Sequence, residues 1–295
     1  MKDTLQLKAY AKINLGLDVV RKREDGYHEV RMIMQTVKLF DKLTFHLLEE
    51  DEIRMKSNLG FLPVDENNLV YKAVKLLKDT YGVKQGMEID LFKCIPVAAG
   101  MAGGSTDCAA ALVGASRLFG LHLGRERLME LGVKLGADVP YCVLRGTALS
   151  EGIGEVLTPL PPIPDCVLLI AKPSISVSTK YVYEHLDAEG IAHHPDIDGM
   201  VEAIRQGSLE GIAGRLENVL EQVTIPQYPV ISRIKETMRE AGAMNALMSG
   251  SGPTVFGIFE EAEAAEEAKK LIRRKELAGQ VYVVSLFHQD IGKQG

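Results

Sequence analysis

The residues best equipped for chemistry are gathered in one stretch, Pro96-Val97-Ala98-Ala99-Gly100-Met101-Ala102-Gly103-Gly104-Ser105-Thr106-Asp107, ahead of an alanine-rich run. Glycines let a backbone come close to an anion and aim successive N–H groups at it. A helix that starts there adds partial positive charge, and Ser105 or Thr106 can add a hydroxyl. Such a loop holds a phosphate without a basic surface. The same residues also suit a plain flexible turn in which Ser105 or Thr106 caps a helix. The spacing is not G-x-x-x-x-G-K-[ST], no lysine follows the glycines, and the pattern is not the G-x-G-x-x-G dinucleotide turn.

A strand must deliver such a loop and a helix must leave it, and both are expected, at 87–92 and 105–119. Upstream, Leu5, Leu7 and Ala9, then Ile13, Leu15 and Leu17, alternate with the period of half-buried strands. Asp25-Gly26 marks the turn after them, and a further strand is expected at 42–48. Leu69, Ala73, Leu76 and Leu77 repeat at helical spacing behind Asn67-Asn68, a good N-cap, and another helix is expected at 125–135, closed by Gly136 as its C-cap. The proline-rich segment 159–164 can continue neither a helix nor a central strand, so it is expected to separate two domains, 1–160 and 161–295. Beyond it are a buried strand at 167–171, helices around 179–186, 200–205 and 230–241, and strands at 245–248 and 254–259. A helix at 263–277, with an acidic start and a basic end that suit its dipole, and one more strand close the chain. Strands and helices are mixed throughout, an α+β pattern.

Length and composition fit this organisation: 295 residues, 46% hydrophobic and 25% charged, are enough for two cores. A formal net charge of -6 argues against nucleic acid as a partner, since that needs a concentrated basic face. Arg21-Lys22-Arg23 is followed at once by Glu24-Asp25 and reads as a solvated turn. Cys94, Cys108, Cys142 and Cys166 form no C-x-x-C pair and no metal-ligand spacing with the seven histidines, so they are expected to be reduced core residues. The first residues show no apolar stretch behind a basic start, and the apolar run 166–171 is far too short to span a bilayer. No membrane association and a cytoplasmic location are expected.

The loop resembles the phosphate loop of the GHMP kinases, roughly P-x-x-x-G-[LM]-[AG]-[GS]-[GS] followed by small or hydroxyl residues, with its proline at Pro96. Two further stretches agree in kind and order: Ala9-Tyr10-Ala11-Lys12-Ile13-Asn14-Leu15, and Met248-Ser249-Gly250-Ser251-Gly252-Pro253-Thr254-Val255-Phe256. The resemblance spans nearly the whole chain. It implies an α+β, two-domain GHMP kinase fold with the active site in the cleft between domains, ATP as phosphate donor, Mg²⁺ with it, and a small-molecule alcohol as acceptor. Within that family Asp25-Gly26-Tyr27-His28-Glu29-Val30 is similar to the signature of the branch that acts on a diphosphocytidyl-linked sugar alcohol, which homoserine and mevalonate kinases do not typically share. Leu135-Gly136-Ala137-Asp138-Val139-Pro140 and the run from Pro173 to Tyr183 support the same branch. It implies phosphorylation of the substrate's 2-hydroxyl in the nonmevalonate isoprenoid route, giving the 2-phosphate and ADP.

Roles follow from the resemblance, residue by residue. Asp138 is the catalytic base, and Lys12 keeps that carboxylate ionised and offsets charge on the phosphoryl group. Asn14 shares the strand face of Lys12 and hydrogen-bonds the substrate. Tyr27 and Tyr183 stack on the cytosine, His28 reads its polar edge, and Thr179, one helical turn before Tyr183, offers a hydroxyl. Asn68, Leu69 and Lys93 lie near the nucleotide, with Pro96, Gly100, Met101, Ala102, Gly103, Gly104, Ser105 and Thr106 around its phosphates and Ser105 or Thr106 toward Mg²⁺. Met101 and Tyr183 replace the leucine and phenylalanine of many relatives at similar bulk. Each residue also has a plainer reading: Lys12 on a solvated strand face, Asp138 in a turn, His28 as a turn histidine, Thr179 as an N-cap, Tyr183 as a core side chain. Ser249 to Pro253 suits either an approach to substrate or phosphates or a hairpin turn. A kinase of another small alcohol, and a regulator that keeps the loop without catalysis, are the competing functions; intact Lys12 and Asp138 argue against the second.

Overall fold

Two long strands open the chain in the computed structural model, which describes residues 4–288. β1 (Thr4–Lys22) and β2 (His28–Leu48) are joined by a turn in which the Tyr27 N–H donates to the Asp25 carboxylate at 3.1 Å and the Arg23 N–H to the Tyr27 carbonyl at 2.8 Å. The alternation in β1 leads one to expect a half-buried strand, yet residues 11–19 are buried on both faces, because Lys12, Asn14 and Asp18 are inside as well. β2 begins well before the expected 42–48; its apolar run at Met32, Ile33 and Met34 hides the period of two.

Then follow β3 (Ile53–Ser57), α1 (Leu69–Tyr81), β4 (Gly86–Phe92), α2 (Gly103–Leu118), α3 (Arg125–Val133), α4 (Val139–Leu144), β5 (Thr147–Glu151), β6 (Val156–Leu160) and β7 (Val167–Lys172). The remainder comprises α5 (Thr179–His185), α6 (Ile197–Arg205), α7 (Leu209–Ala213), β8 (Glu217–Asn218), α8 (Glu221–Gln227), α9 (Val230–Glu240), β9 (Asn245–Met248), β10 (Val255–Phe259), α10 (Ala262–Arg274) and β11 (Gln280–Ser285). Two compact units result. One holds the chain up to Ala11 with Leu39–Val97 and Ala102–Leu144; the other holds Lys12–Lys38, Ala98–Met101 and the chain from Arg145 onward. β1 and β2 contribute to both.

In the first unit the strand order is β3-β4-β2-β1, with β2 and β4 antiparallel from Lys42↔Phe92 to Leu48↔Gly86 and β3 parallel to β4. The N-cap expected for α1 is Asn68, whose side chain accepts from the Val70 N–H at 2.9 Å, and Gly82 in the left-handed region closes the helix. α3 departs from expectation: it ends at Val133 with Lys134 as its cap, and Gly136 is not left-handed. The chain instead turns through 134–138 into α4, whose Pro140 sits in the first turn, where no intrahelical N–H is needed. α2 packs on α1, α3 and α4 with a buried face of small residues, and at Gly114 a Cβ would lie 2.7 Å from the Phe45 ring.

In the second unit β5 pairs antiparallel with β2 from Met32↔Ser150 to Gln35↔Thr147, and β6, carrying Pro159, pairs only with β5 among the described strands, as a proline-bearing edge requires. β8 lies parallel to β1 at Gly16↔Glu217. A second sheet, β11-β7-β10-β9, is antiparallel throughout, with every residue of β10 buried and α9 and α10 packed on it. Burial pushes the thiols of Cys108 and Cys166 up, the latter to about 12, so both are inert core groups. Cys94 does not fit the expected core placement: it is exposed, on the same parity as exposed Phe92, with Lys93 and Ile95 pointing inward.

The contact at Gly114 yields a test. Gly114→Ala gains about 1 kcal/mol of helix propensity but overpacks against a fully buried ring, typically a loss of about 1 to 3 kcal/mol, so the melting temperature should fall. Phe45→Leu in the same protein should recover part of that loss, and strictly additive effects of the two substitutions would show that the two residues do not press on each other.

Candidate active site

The loop entering α2 is built from residues in an uncommon backbone conformation. Ala98, Gly100 and Ala102 have φ of 51°, 71° and 54°, so every second residue is left-handed across the segment. Left-handed residues in such a series are the kind of backbone from which anion-binding nests are built, and two alanines held there mark a loop whose surroundings impose the strain. α2 begins at Gly103, two residues earlier than expected. Its N-cap is Ala102, with no side-chain cap among the described residues. Ser105 and Thr106 are therefore inside the helix and do not cap it. The first N–H groups of the helix, from Gly103, Gly104 and Ser105, point out of its end without intrahelical acceptors. Thr106 spends its hydroxyl on the Tyr10 carbonyl at 2.8 Å, whereas Ser105 is half-buried and Gly104 exposed.

Lys93 is placed beneath this helix start. A Cβ on Gly103 would lie 3.3 Å from its Nζ and 3.2 Å from Ile95. The ammonium is buried between two carboxylates, Asp107 at 2.6 Å and Asp41, and Asp41 also accepts from the N–H groups of Cys94 and Ile95, the latter at 2.8 Å. Asn58 fixes Lys93 further, donating to its carbonyl at 3.1 Å and accepting from its N–H at 2.7 Å. Its charge thus serves the loop's foundation. Burial, with the neighbouring Asp41, pushes the Asp107 carboxyl well above the usual range, and one of its oxygens has no hydrogen-bond partner among the described residues. Burial lowers the affinity of Lys93 for its proton, but the two carboxylates outweigh it and leave its pKa raised. Asn68 is likewise committed, to the Val70 N–H and, through Nδ2, to the Pro63 carbonyl at 2.8 Å; Leu69 lies beside Gly104, its Cδ1 3.7 Å from where a Cβ would be. Asp138, in this unit as well, is half-buried, and its carbonyl accepts from Cys142 as α4 starts.

The second unit assembles a different group. Lys12 is 5% exposed, so it does not lie on a solvated strand face; its Nζ donates to Asn14 Oδ1 at 2.7 Å and its N–H to the Met101 carbonyl at 3.2 Å. Ser249 Oγ donates to the Gly100 carbonyl at 3.0 Å and accepts from the Asn14 N–H at 3.4 Å. A side chain at Gly100 would collide with the Ser249 carbonyl, so glycine is required there by close approach as well as by φ. Thr179 does not cap α5: Ser178 does, accepting from Tyr181, and the Thr179 hydroxyl meets that of Ser251 at 2.8 Å. His28 and Tyr183 lie with ring centroids 5.2 Å apart at 41°, while Tyr27 is 61% exposed. Burial, then Lys22, holds the His28 pKa below the ordinary histidine value, so the ring is neutral at neutral pH and offers one donor and one acceptor.

Sequence reasoning passed over Asp41, Asp107 and Asn218, the last of which donates to two carbonyls of the 248–250 segment. Asp107 closes the glycine-rich stretch itself, and Asp41 interrupts an apolar alternation. A two-residue strand leaves no such signal for Asn218. No group of three or more His, Cys, Asp or Glu among the described residues could hold a metal, and no helix among them is long and apolar enough to cross a membrane.

Residues 68–146 match the GHMP kinases N terminal domain and residues 200–276 the GHMP kinases C terminal family. The chain is 58% identical to 4-diphosphocytidyl-2-C-methyl-D-erythritol kinase of Lachnospira eligens, over 97% of this chain and 99% of the relative, and 60% identical to the protein of the same name from Lachnoclostridium phytofermentans, over 90% and 91%. Its fold is similar to a crystal structure of 4-(cytidine 5'-diphospho)-2C-methyl-D-erythritol kinase, with a TM-score of 0.82 at 30% identity, covering 97% of this chain and all (100%) of that one. The fold is also shared with homoserine kinase from Cytophaga hutchinsonii, TM-score 0.80 at 23% identity, covering 97% and 96%.

The buried charges under α2 predict a pH dependence. A carboxyl whose folded pKa lies above its unfolded value of about 3.9 contributes stability that is complete below that value and is lost as pH rises through the folded pKa. Asp107→Asn keeps the shape of the protonated acid without a charge to form. Its melting temperature should therefore gain on that of the natural protein as pH rises above about 3.9, the unfolded carboxyl value. A difference that stays constant with pH would show Asp107 ionised throughout.

Proposed function

The chain belongs to the GHMP kinase family, and on that premise we propose that it phosphorylates the 2-hydroxyl of 4-diphosphocytidyl-2-C-methyl-D-erythritol with ATP, giving the 2-phosphate and ADP. The observation that carries phosphoryl transfer is the uncapped start of α2 behind the left-handed alternation of Ala98, Gly100 and Ala102. Support for the cytidine end comes from the His28–Tyr183 ring pair and from relatives of that name matched over nearly their whole length.

ATP supplies the γ-phosphoryl group, and little covalent chemistry is left to the protein, which must position the hydroxyl and stabilise spreading charge. In this reading the N–H groups of Gly103, Gly104 and Ser105 bind phosphate oxygens. The Lys12 ammonium, oriented by Asn14, offsets charge on the transferred group, and the Asp138 carboxylate takes the proton of the 2-hydroxyl. Neutral His28 exchanges hydrogen bonds with the cytosine edge, Tyr183 and Tyr27 give its faces apolar cover, and the Thr179 hydroxyl adds a polar contact. Asn68 and Leu69 border the nucleotide side, and Lys93 supports the phosphate loop from below. Ser105, half-buried at the helix start where Thr106 is buried, would be the residue to hold a Mg²⁺ that came with ATP, and the ion would supply charge to offset that of the phosphates. On this reading the two domains, 1–160 and 161–295, meet at the proline-rich segment 159–164, which lies between the matched regions 68–146 and 200–276.

ADP release measured with diphosphocytidyl-methylerythritol, homoserine and mevalonate tests the substrate: turnover with the first alone is expected, and preference for either of the others would overturn the assignment. In the same assay Asp138→Asn should lower kcat by about two to four orders of magnitude with ATP affinity little changed, the range for a positioned general base. Near-normal turnover would remove Asp138 from that role. Gly104→Val places a side chain over the helix start with open space around it, 3.7 Å from Leu69 Cδ1. ATP affinity by calorimetry should drop about tenfold or more, the loss of roughly one charge-assisted hydrogen bond, at a nearly unchanged melting temperature. Unchanged affinity would detach the phosphates from α2.

A further inference from the structure

The turn between β9 and β10 is held from outside its own hairpin. Asn218, 3% exposed in β8, donates from Nδ2 to the carbonyls of Met248 and Gly250, both at 2.8 Å, and its Oδ1 accepts from the Leu220 N–H at 3.0 Å. Both amide hydrogens and the amide oxygen are engaged. The two carbonyls it grips flank Ser249, and the Met248 N–H is held as well, by Glu221 at 2.9 Å. Ser249 is thereby fixed on both sides. Its hydroxyl in turn donates to the Gly100 carbonyl and accepts from the Asn14 backbone N–H, and the Asn14 side-chain Oδ1 is the acceptor that orients the Lys12 ammonium.

We infer that Asn218 is a positioning residue for phosphoryl transfer: by fixing Met248 and Gly250 it places Ser249, and through Ser249 it sets the Gly100 carbonyl, Asn14 and Lys12. The inference rests on the reading of Lys12 and the loop as the machinery of transfer. An amide is suited to this task because two carbonyls facing one point repel each other unless a double donor lies between them. A turn that needed only to close would be served by its own hydrogen bonds, the Ser249 N–H to the Thr254 carbonyl at 2.9 Å and the Gly252 N–H to the Ser249 carbonyl at 3.0 Å. Asn218 adds nothing to that closure; it adjusts where Ser249 stands. Misplacement of a positioning group by about 1 Å can cost on the order of a hundredfold in rate.

Steady-state kinetics, ATP calorimetry and melting curves of Asn218→Ala, Asn218→Asp, Ser249→Ala, the Asn218→Ala/Ser249→Ala double variant and Lys12→Ala decide it. Asn218→Ala should lower kcat by about ten- to a hundredfold and weaken ATP binding, while KM for the alcohol substrate stays within about threefold. Asn218→Asp, which turns an acceptor on two carbonyls, should be worse. Because Asn218 acts through Ser249, the double variant should lose no more than about threefold beyond the more damaged single variant, whereas independent roles would multiply. Full turnover in Asn218→Ala, a multiplying double variant, or a loss of kcat that only follows the folded fraction would overturn the inference. If Asn218→Ala does not fold, Ser249→Ala carries the test, and full turnover in it has the same meaning. Lys12→Ala separates the two levels: its full activity would reject the underlying site assignment, and its inactivity beside fully active Asn218 variants would reject the clamp alone.

Discussion

The first N–H groups of α2 must remain without a protein acceptor, and much of the molecule is arranged around that requirement. A helix normally satisfies its leading donors with a Ser, Thr, Asp or Asn cap. Here Ala102 stands at the cap position in the left-handed region, and the two hydroxyl residues that could have capped the helix are one turn inside it. Thr106 turns its hydroxyl to the Tyr10 carbonyl. The donors have no side-chain cap among the described residues, and in a chain of formal net charge -6 a helix start of this kind can hold an anion locally, without an overall positive charge.

Keeping a strained, uncapped loop in place takes firm neighbours. Lys93, Asp41 and Asp107 supply them below Gly103, at the expense of burying three ionisable groups. Removing one member of such a cluster leaves an unpaired buried charge, typically costing about 3 to 5 kcal/mol, so its members depend on each other far more than the exposed pairs of this chain do. Two carboxylates and one ammonium sum to a negative charge, and burial together with the neighbouring Asp41 holds the Asp107 carboxyl above the usual range. In the second unit a different device acts at Gly100: backbone contact with Ser249 so close that no side chain fits. The first depends on charge and the second on steric exclusion, and both restrict the loop without covering its N–H groups.

Much of this was legible in the residues. The glycine pattern, the N-cap Asn68 and the helical periods of α1 and α9 are local properties, dictated by neighbours a few positions away, and they appear where expected. Lys12, Asn14 and the Ser249–Pro253 motif could be singled out as well, although in β1 the period of two misjudged burial, because a strand covered on both faces hides its polar side too. The expected Gly136 cap failed for a related reason: nothing local reveals that the chain starts another helix at Val139.

The sequence by itself determined the strongly periodic elements such as α1 and α9, where the glycine-rich loop lies, and which side chains are chemically able to act on a phosphoryl group, since those follow from short-range sterics and residue chemistry. Tertiary structure alone decided which polar groups are already engaged. Lys93 and Asp41 are 52 positions apart, Thr106 and Tyr10 are 96, and Ser249 and Gly100 are 149. No periodicity reports on pairs so distant. Whether Ser105 and Thr106 cap a helix or stand inside it, and whether Lys93 faces a ligand or two carboxylates, depends on which donors and acceptors the fold brings within about 3 Å, the range at which a hydrogen bond forms.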